Sequence, residues 1–326
     1  MRGYRFILSI VCACILCGCG NTPQAEPIVR ECTSIPTEGR ASASVCAADG
    51  KAYVFGGRDS HKHYLNDLWT YSPQEDKWTD LGATPLRARV KATMVAQEEK
   101  LYVGLGYSAL SAYNDSAYQQ DWWEYTPSVN QWKRLADYPN KNTVAAMVYA
   151  EAGKIYVLYG NGRFFTSEIG VYTIATDTWE IMPNNANRAV SCFGACAARQ
   201  KDILYFGTGF NSHNLTQWYS VDAAKDHWQK LCSLPGKGRQ WSVCAATEDY
   251  IYLFGGRHFA GEMTGGEVFE NYMRYSPEKD QWEWCGTMPC GRAENMIAFS
   301  MNGKAYFGLG ENENGTCLTT LYCIEE

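Results

Sequence analysis

The 326-residue chain lacks a long hydrophobic run: its N-terminal apolar stretch, residues 6–16, is too short to span a bilayer stably. It also lacks an excess of basic charge. With 29 Lys and Arg against 35 Asp and Glu, its net charge is −6, and no concentrated cationic surface is available for counterion release, which excludes nucleic acid as a partner. Histidine is scarce at five residues. The densest pair, in His61-Lys62-His63, is followed by no Asp, Glu or Cys run at metal-ligand spacing, so neither a metal nor another cofactor is expected. No acid and base stand at a spacing that would mark a catalytic pair. Aromatic residues (14%) and 30 glycines are plentiful instead, a composition suited to short strands and tight turns.

Residues 51–85 hold the unit from which the chain is repeated. KAYVFGG is a short apolar strand stopped by two glycines, LWTYSP alternates apolar and polar residues, and KWTDLG carries Trp78 seven residues after Tyr71. The small-residue run from Arg40, closed by Asp49-Gly50, supplies a fourth strand for a crowded inner position. Tyr125 and Trp132, Tyr172 and Trp179, and Tyr275 and Trp282 repeat the spacing, and Val221 stands in the Tyr place before Trp228. The Trp to Trp intervals are 54, 47, 49 and 54. Glycines recur at Gly56-Gly57, Gly104 and Gly106, Gly160, Gly207 and Gly209, Gly255-Gly256, and Gly308 and Gly310, giving a sixth copy. Double glycine, Tyr, then Trp resembles the kelch motif, which implies an all-β, six-bladed β-propeller over residues 28–326. Six such blades fill the chain and leave no room for a second domain of ordinary size. The last repeat stops one strand short, while VRECTSIP from Val29 has the register of an outermost strand, so the N-terminal strand is expected to close the sixth blade.

Before that domain, Arg2 and Arg5 precede the apolar run, as in a secretory signal. Its end, Leu16-Cys17-Gly18-Cys19, resembles a bacterial lipobox. That resemblance implies a signal peptide over residues 1–18, lipidation of Cys19 and a polar tether over residues 19–27, placing the protein in the bacterial cell envelope. The outer membrane, on either side, is the expected site, with the lipid as the only membrane contact. A monomer is expected. Ten cysteines lie beyond Cys19. Cys46, Cys196 and Cys244 fall among Ala and Val as buried thiols, and Cys32 against Cys317 or Cys323 is the pairing that would lock the closing blade.

Alternating strand direction sorts the loops onto two faces. Arg40, Arg87, Arg89, Arg188, Arg239 and Arg292 lie where one blade passes to the next, and Arg58, Arg163 and Arg257 follow strand-two glycines. Nine of the 13 arginines outside the signal therefore share one face. Tyr107, Phe164, Phe165, Phe210, Trp241 and Phe259 accompany them, whereas Lys51, Lys100, Lys154, Lys201 and Lys304 occupy the opposite hairpins. Guanidinium forks with exposed rings suit an acidic glycan or an acidic protein partner. Arg58, Arg163, Arg257, Arg40, Arg89, Arg188, Arg239, Arg292 and Trp241 are the candidate ligand-binding residues. The blade-opening arginines have an alternative role as braces.

Secreted bacterial kelch propellers that epimerise sialic acid are similar in size and architecture. The resemblance implies a loop Glu acting with a nearby Arg, for which Glu311, after Gly310, is the nearest local echo, with Cys317 standing at the Arg place. Two functions are therefore expected as alternatives: a lipoprotein that binds an acidic glycan or a protein partner, or an N-acetylneuraminate mutarotase or epimerase.

Overall fold

Short apolar strands separated by glycine turns pair mostly with their chain neighbours, and the computed structural model accordingly shows six four-stranded antiparallel sheets. It describes residues 27–108, 117–141, 143–160, 168–183, 185–189, 191–222, 225–261 and 265–326. The signal, Cys19 and all of the tether but Pro27 lie outside the described residues, as does Arg163 with Phe164 and Phe165. Blade one comprises Ser44–Ala48, Lys51–Phe55, Asp67–Ser72 and Lys77–Ala83, innermost first. The inner strands of the following blades are Thr93–Gln97, Met147–Glu151, Cys196–Gln200, Val243–Ala246 and Ile297–Met301, and consecutive ones touch in a closed ring. Blade six is completed by Ile28–Cys32, antiparallel to Leu321–Glu325. Residues 43–45, 92–94, 146–148, 195–197, 242–244 and 296–298 surround a section of the central channel of about 250 Å³ with no charged side chain among its described lining, and Arg199 lines the adjoining section.

The seven-residue Tyr to Trp spacing has a physical cause. In blade one the Tyr71 hydroxyl donates to Asp76 Oδ1 at 2.6 Å, and the same oxygen accepts the Thr33 amide of the neighbouring blade at 2.8 Å. The Trp78 indole donates back to the Thr33 carbonyl at 2.7 Å. Tyr172, Asp177, Trp179 and Ala136 repeat the arrangement, as do Tyr275, Asp280, Trp282 and Cys232. Each ring thus stitches its blade to the preceding one. In blade four Val221 cannot donate, and the turn acid Asp226 takes the Arg188 guanidinium instead, Nε to Oδ1 at 2.8 Å.

The second glycine of each pair is fixed by close approach. A Cβ on Gly57 would meet the Ala41 carbonyl at 2.8 Å, and one on Gly256 the Gln240 carbonyl at 2.8 Å, both at positive φ. The first position tolerates Leu105, Tyr159, Thr208 and Leu309, all at positive φ.

The ten cysteines of the described residues are free thiols, and Cys32 forms no bond with Cys317 or Cys323. Cys32 sits opposite Leu321 rather than Cys323, and the Cys317 sulfur meets the Arg58 carbonyl at 3.5 Å.

Candidate functional site

At one end of the channel six residues, one per blade, adopt left-handed backbone just before the inner strand. They are Ser42, Lys91, Ala145, Gly194, Trp241 and Asn295, with φ between 52° and 64°. Five backbone hydrogen bonds join neighbours among them: Lys91 N–H to Ser42 O, Ala145 to Lys91, Trp241 to Gly194, Asn295 to Trp241 and Ser42 to Asn295, at 2.8–3.3 Å. A non-glycine residue in this region costs on the order of 1–3 kcal/mol, and these bonds help hold it there. Lys91 and Trp241 belong to opposite blades. Even so, the Lys91 ammonium lies 3.0 Å from the Trp241 ring centroid, so the pair bars the mouth. Gly194 makes room for the indole, since a Cβ there would sit 2.8 Å from it.

Above this floor the residue after each second glycine forms another ring, with Arg58, Tyr107, Phe210, Arg257 and Glu311 described. Arg58 Nη2 donates to both Glu311 oxygens, at 2.7 and 2.6 Å, and Asn295 Nδ2 adds a bond to Oε1 at 2.9 Å. Arg257 donates through Nε and Nη2 to a single oxygen, Glu294 Oε1, at 2.9 and 2.7 Å. Glu294 Oε2, Arg58 Nη1 and Gln240 Oε1 are buried and have no partner among the described residues. Such atoms are costly unless a water or a ligand atom meets them. Phe193 links Trp241 to Phe210, which meets Phe259, in an edge-packed aromatic wall with centroids 5.4–5.6 Å apart.

The structure therefore divides the candidate arginines. Arg58, Arg257 and Trp241 meet at the mouth. Arg40, Arg89, Arg188 and Arg239 do not: all four are buried and engaged within the wall. Arg40 clamps Asp67 and the Gly56 carbonyl, Arg89 clamps Asp121 and the Leu105 carbonyl, and Arg239 clamps Asn271 and the Gly255 carbonyl. They brace the third strand of a blade against its glycine turn, and burial pushes the Arg239 guanidinium down to about 10. Arg292 is half-exposed beside Glu270 and Glu313 at 3.9 and 3.6 Å. Glu311, offered as an acid or base, is occupied as the anchor of Arg58. The carboxylate with an oxygen to spare is Glu294. His61 does not pair with His63 as a ligand set; its ring approaches Glu38 and Asp59, their ligand atoms lying within 4.8 Å, while Asp59 also accepts His63 Nδ1 at 3.0 Å.

Sequence reasoning missed Glu294, Asn295, Lys91 and Phe193. Aligning the repeats on the second glycine would have exposed Lys91, the one charged residue among its six equivalents.

Six four-stranded blades around a central channel, with a polar mouth at one end, define a kelch-type β-propeller. The chain belongs to the KLHDC2/KLHL20/DRC7 Kelch-repeats domain family, which it matches over residues 21–207. Residues 189–319 match a second family, N-acetylneuraminate epimerase. Among individual proteins it is 31% identical over 97 residues to the N-acetylneuraminate epimerase of Salmonella enteritidis PT4 (strain P125109), covering 29% of this chain and 24% of that one. It is 34% identical over 122 residues to the protein of the same name from Shigella flexneri serotype 5b (strain 8401), covering 36% and 31%. The matches thus span under a third of those relatives' length. The solved structure described as "Structure of YjhT" superposes with a TM-score of 0.73 over 90% of this chain and 99% of that chain, at 17% identity, a likeness of fold.

Proposed function

We propose that the mouth binds an acidic monosaccharide of the N-acetylneuraminate type and interconverts its anomers. The observation that carries this reading is the set of unshared polar atoms, Glu294 Oε2 and Arg58 Nη1, on two Arg–Glu pairs beside a lysine-capped aromatic floor. Arg58, Arg257 and Lys91, with Lys62 3.9 Å from Glu311, face two carboxylates, an excess of positive charge that suits a ligand carboxylate. The spare Arg58 nitrogen donates to that carboxylate, and the aromatic wall covers an apolar sugar face. Anomer exchange then needs no oxidant. Glu294 Oε2 takes the proton of the anomeric hydroxyl, the bond from the anomeric carbon to the ring oxygen breaks, and the ring oxygen takes a proton from an acid. Rotation and reclosure on the other face reverse the transfers. The partial match to epimerase relatives supports the same substrate class.

Adding the purified protein to pure α-N-acetylneuraminate and following the anomer signals by NMR tests the reading. Catalytic amounts should bring the mixture to equilibrium well before the buffer alone does, and Arg58→Ala should weaken binding by about 1.5–3 kcal/mol, the range for a hydrogen bond to a charged group. Binding without faster exchange would leave a glycan-binding propeller, and no binding would remove the acidic-sugar reading altogether.

The same proposal places the propeller in the cell envelope through a lipid on Cys19. Cys19→Ser should move the protein from the washed membrane fraction to the soluble one with its melting temperature unchanged. Retention on membranes in high salt would rule the lipid out as anchor.

A further inference from the structure

The proton that the ring oxygen receives must come from a group near Glu294 that is itself not locked in an ion pair. Resting on the anomer-exchange reading, we propose that Lys91 is this catalytic acid. Its position is specific. It projects from left-handed backbone of blade two across the mouth, and its ammonium makes no hydrogen bond or ion pair within the described residues, only the 3.0 Å contact with the Trp241 ring. Arg58 and Arg257 are fixed in ion pairs with Glu311 and Glu294, so neither is placed to serve as an acid.

The charges around Lys91 come from two blades. Blade one contributes Arg58, and blade six contributes Glu294 and Glu311; Ser42, Ala145 and Trp241, its equivalents on blades one, three and five, are uncharged. Burial pushes the lysine down to about 7, with Arg58 adding to the fall and Glu294 and Glu311 opposing it. The face of Trp241 further favours the ammonium over the amine. A group poised near neutrality can give a proton in ring opening and recover it in reclosure. An ordinary surface lysine, with a pKa about 10.4, holds its proton too tightly for that exchange. Strained backbone and a partly buried, unpaired cation at one residue are unfavourable for folding, and such features concentrate where a site uses them.

Three variants and a titration separate a proton donor from a mere positive charge or a structural plug. Lys91→Arg keeps the charge but does not release a proton, so it should still bind N-acetylneuraminate while anomer exchange falls about 100-fold or more. Lys91→Ala should lose exchange to the same degree and recover part of it when ethylamine is added. Lys91→Met should abolish the decline in wild-type exchange rate, above the buffer background, as pH rises through about 7. NMR of the lysine Nζ should show that titration directly. Full exchange activity in Lys91→Arg, a lysine titrating near 10, or no recovery with ethylamine despite a wild-type melting temperature would each overturn the assignment while leaving anomer exchange itself standing. If the wild-type protein exchanges no anomers, the functional reading and the assignment fall together.

Discussion

Arg89→Ala should destabilise the propeller by about 3–5 kcal/mol, the cost of removing one member of a buried pair. The Arg89 side chain is fully buried. Nη1 donates to Asp121 Oδ1 at 2.6 Å and to the Leu105 carbonyl at 3.0 Å, Nη2 donates to Asp121 Oδ2 at 2.8 Å, and Nε donates to the Arg87 carbonyl at 2.8 Å. Alanine leaves Asp121 with only the Trp123 indole, at 2.9 Å, and leaves a carbonyl unpaired inside blade two. Burial by itself would raise the Asp121 carboxyl, but Arg89 overrides it and holds the group below its usual range. A depressed carboxylate contributes stability above its unfolded value and loses it as pH falls through the folded one, so the gap between wild type and variant should narrow in acid. Denaturant melts at pH 7 and at pH 3 measure both effects. Arg292→Ala, on the half-exposed side chain, should change stability by no more than about 0.5 kcal/mol. A cost for Arg89→Ala as small as that would show that the blade-opening arginines are not braces and would return them to the ligand face.

Glu294→Gln should lower anomer exchange by about 10²–10⁴-fold, the contribution of a positioned proton-transfer group, while the affinity for the sugar changes little. The amide is the same size, still accepts from Arg257 through its oxygen, and cannot take a proton. Glu311→Gln should behave differently. It weakens the clamp on Arg58, which donates to both oxygens, so it should raise the dissociation constant more than it lowers the rate of bound sugar. Saturation curves for the two variants, read as affinity against maximal rate, distinguish the roles. If Glu311→Gln abolishes exchange and Glu294→Gln retains it, the base is Glu311.

Much of the fold was legible because its causes are local. Tyr71 and Asp76 are five residues apart on one hairpin, and Trp78 follows on the next strand, so the hydrogen bonds that stitch blades together recur at fixed sequence intervals. The departure at Val221 was also visible, but its consequence was not: Arg188 takes the place of the missing hydroxyl on Asp226, and it reads in sequence as one more arginine of the ligand face. Arg40, Arg89 and Arg239 read the same way, because their carboxylate or amide partners, Asp67, Asp121 and Asn271, lie 27, 32 and 32 residues on and are brought near only by the turn after the second strand.

The sequence by itself determined the repeat, the six blades and the glycines that permit their turns, since each follows from periodicity or local sterics. Tertiary structure alone decided which charges are spent and which are open. Arg58 is 253 residues from Glu311, and Lys91 reaches across the ring to Trp241, 150 positions later in the chain. Closing a ring brings the first and last blades together and faces opposite blades across a narrow mouth. Whether a charge is paired depends on those distances, which no interval within a repeat records.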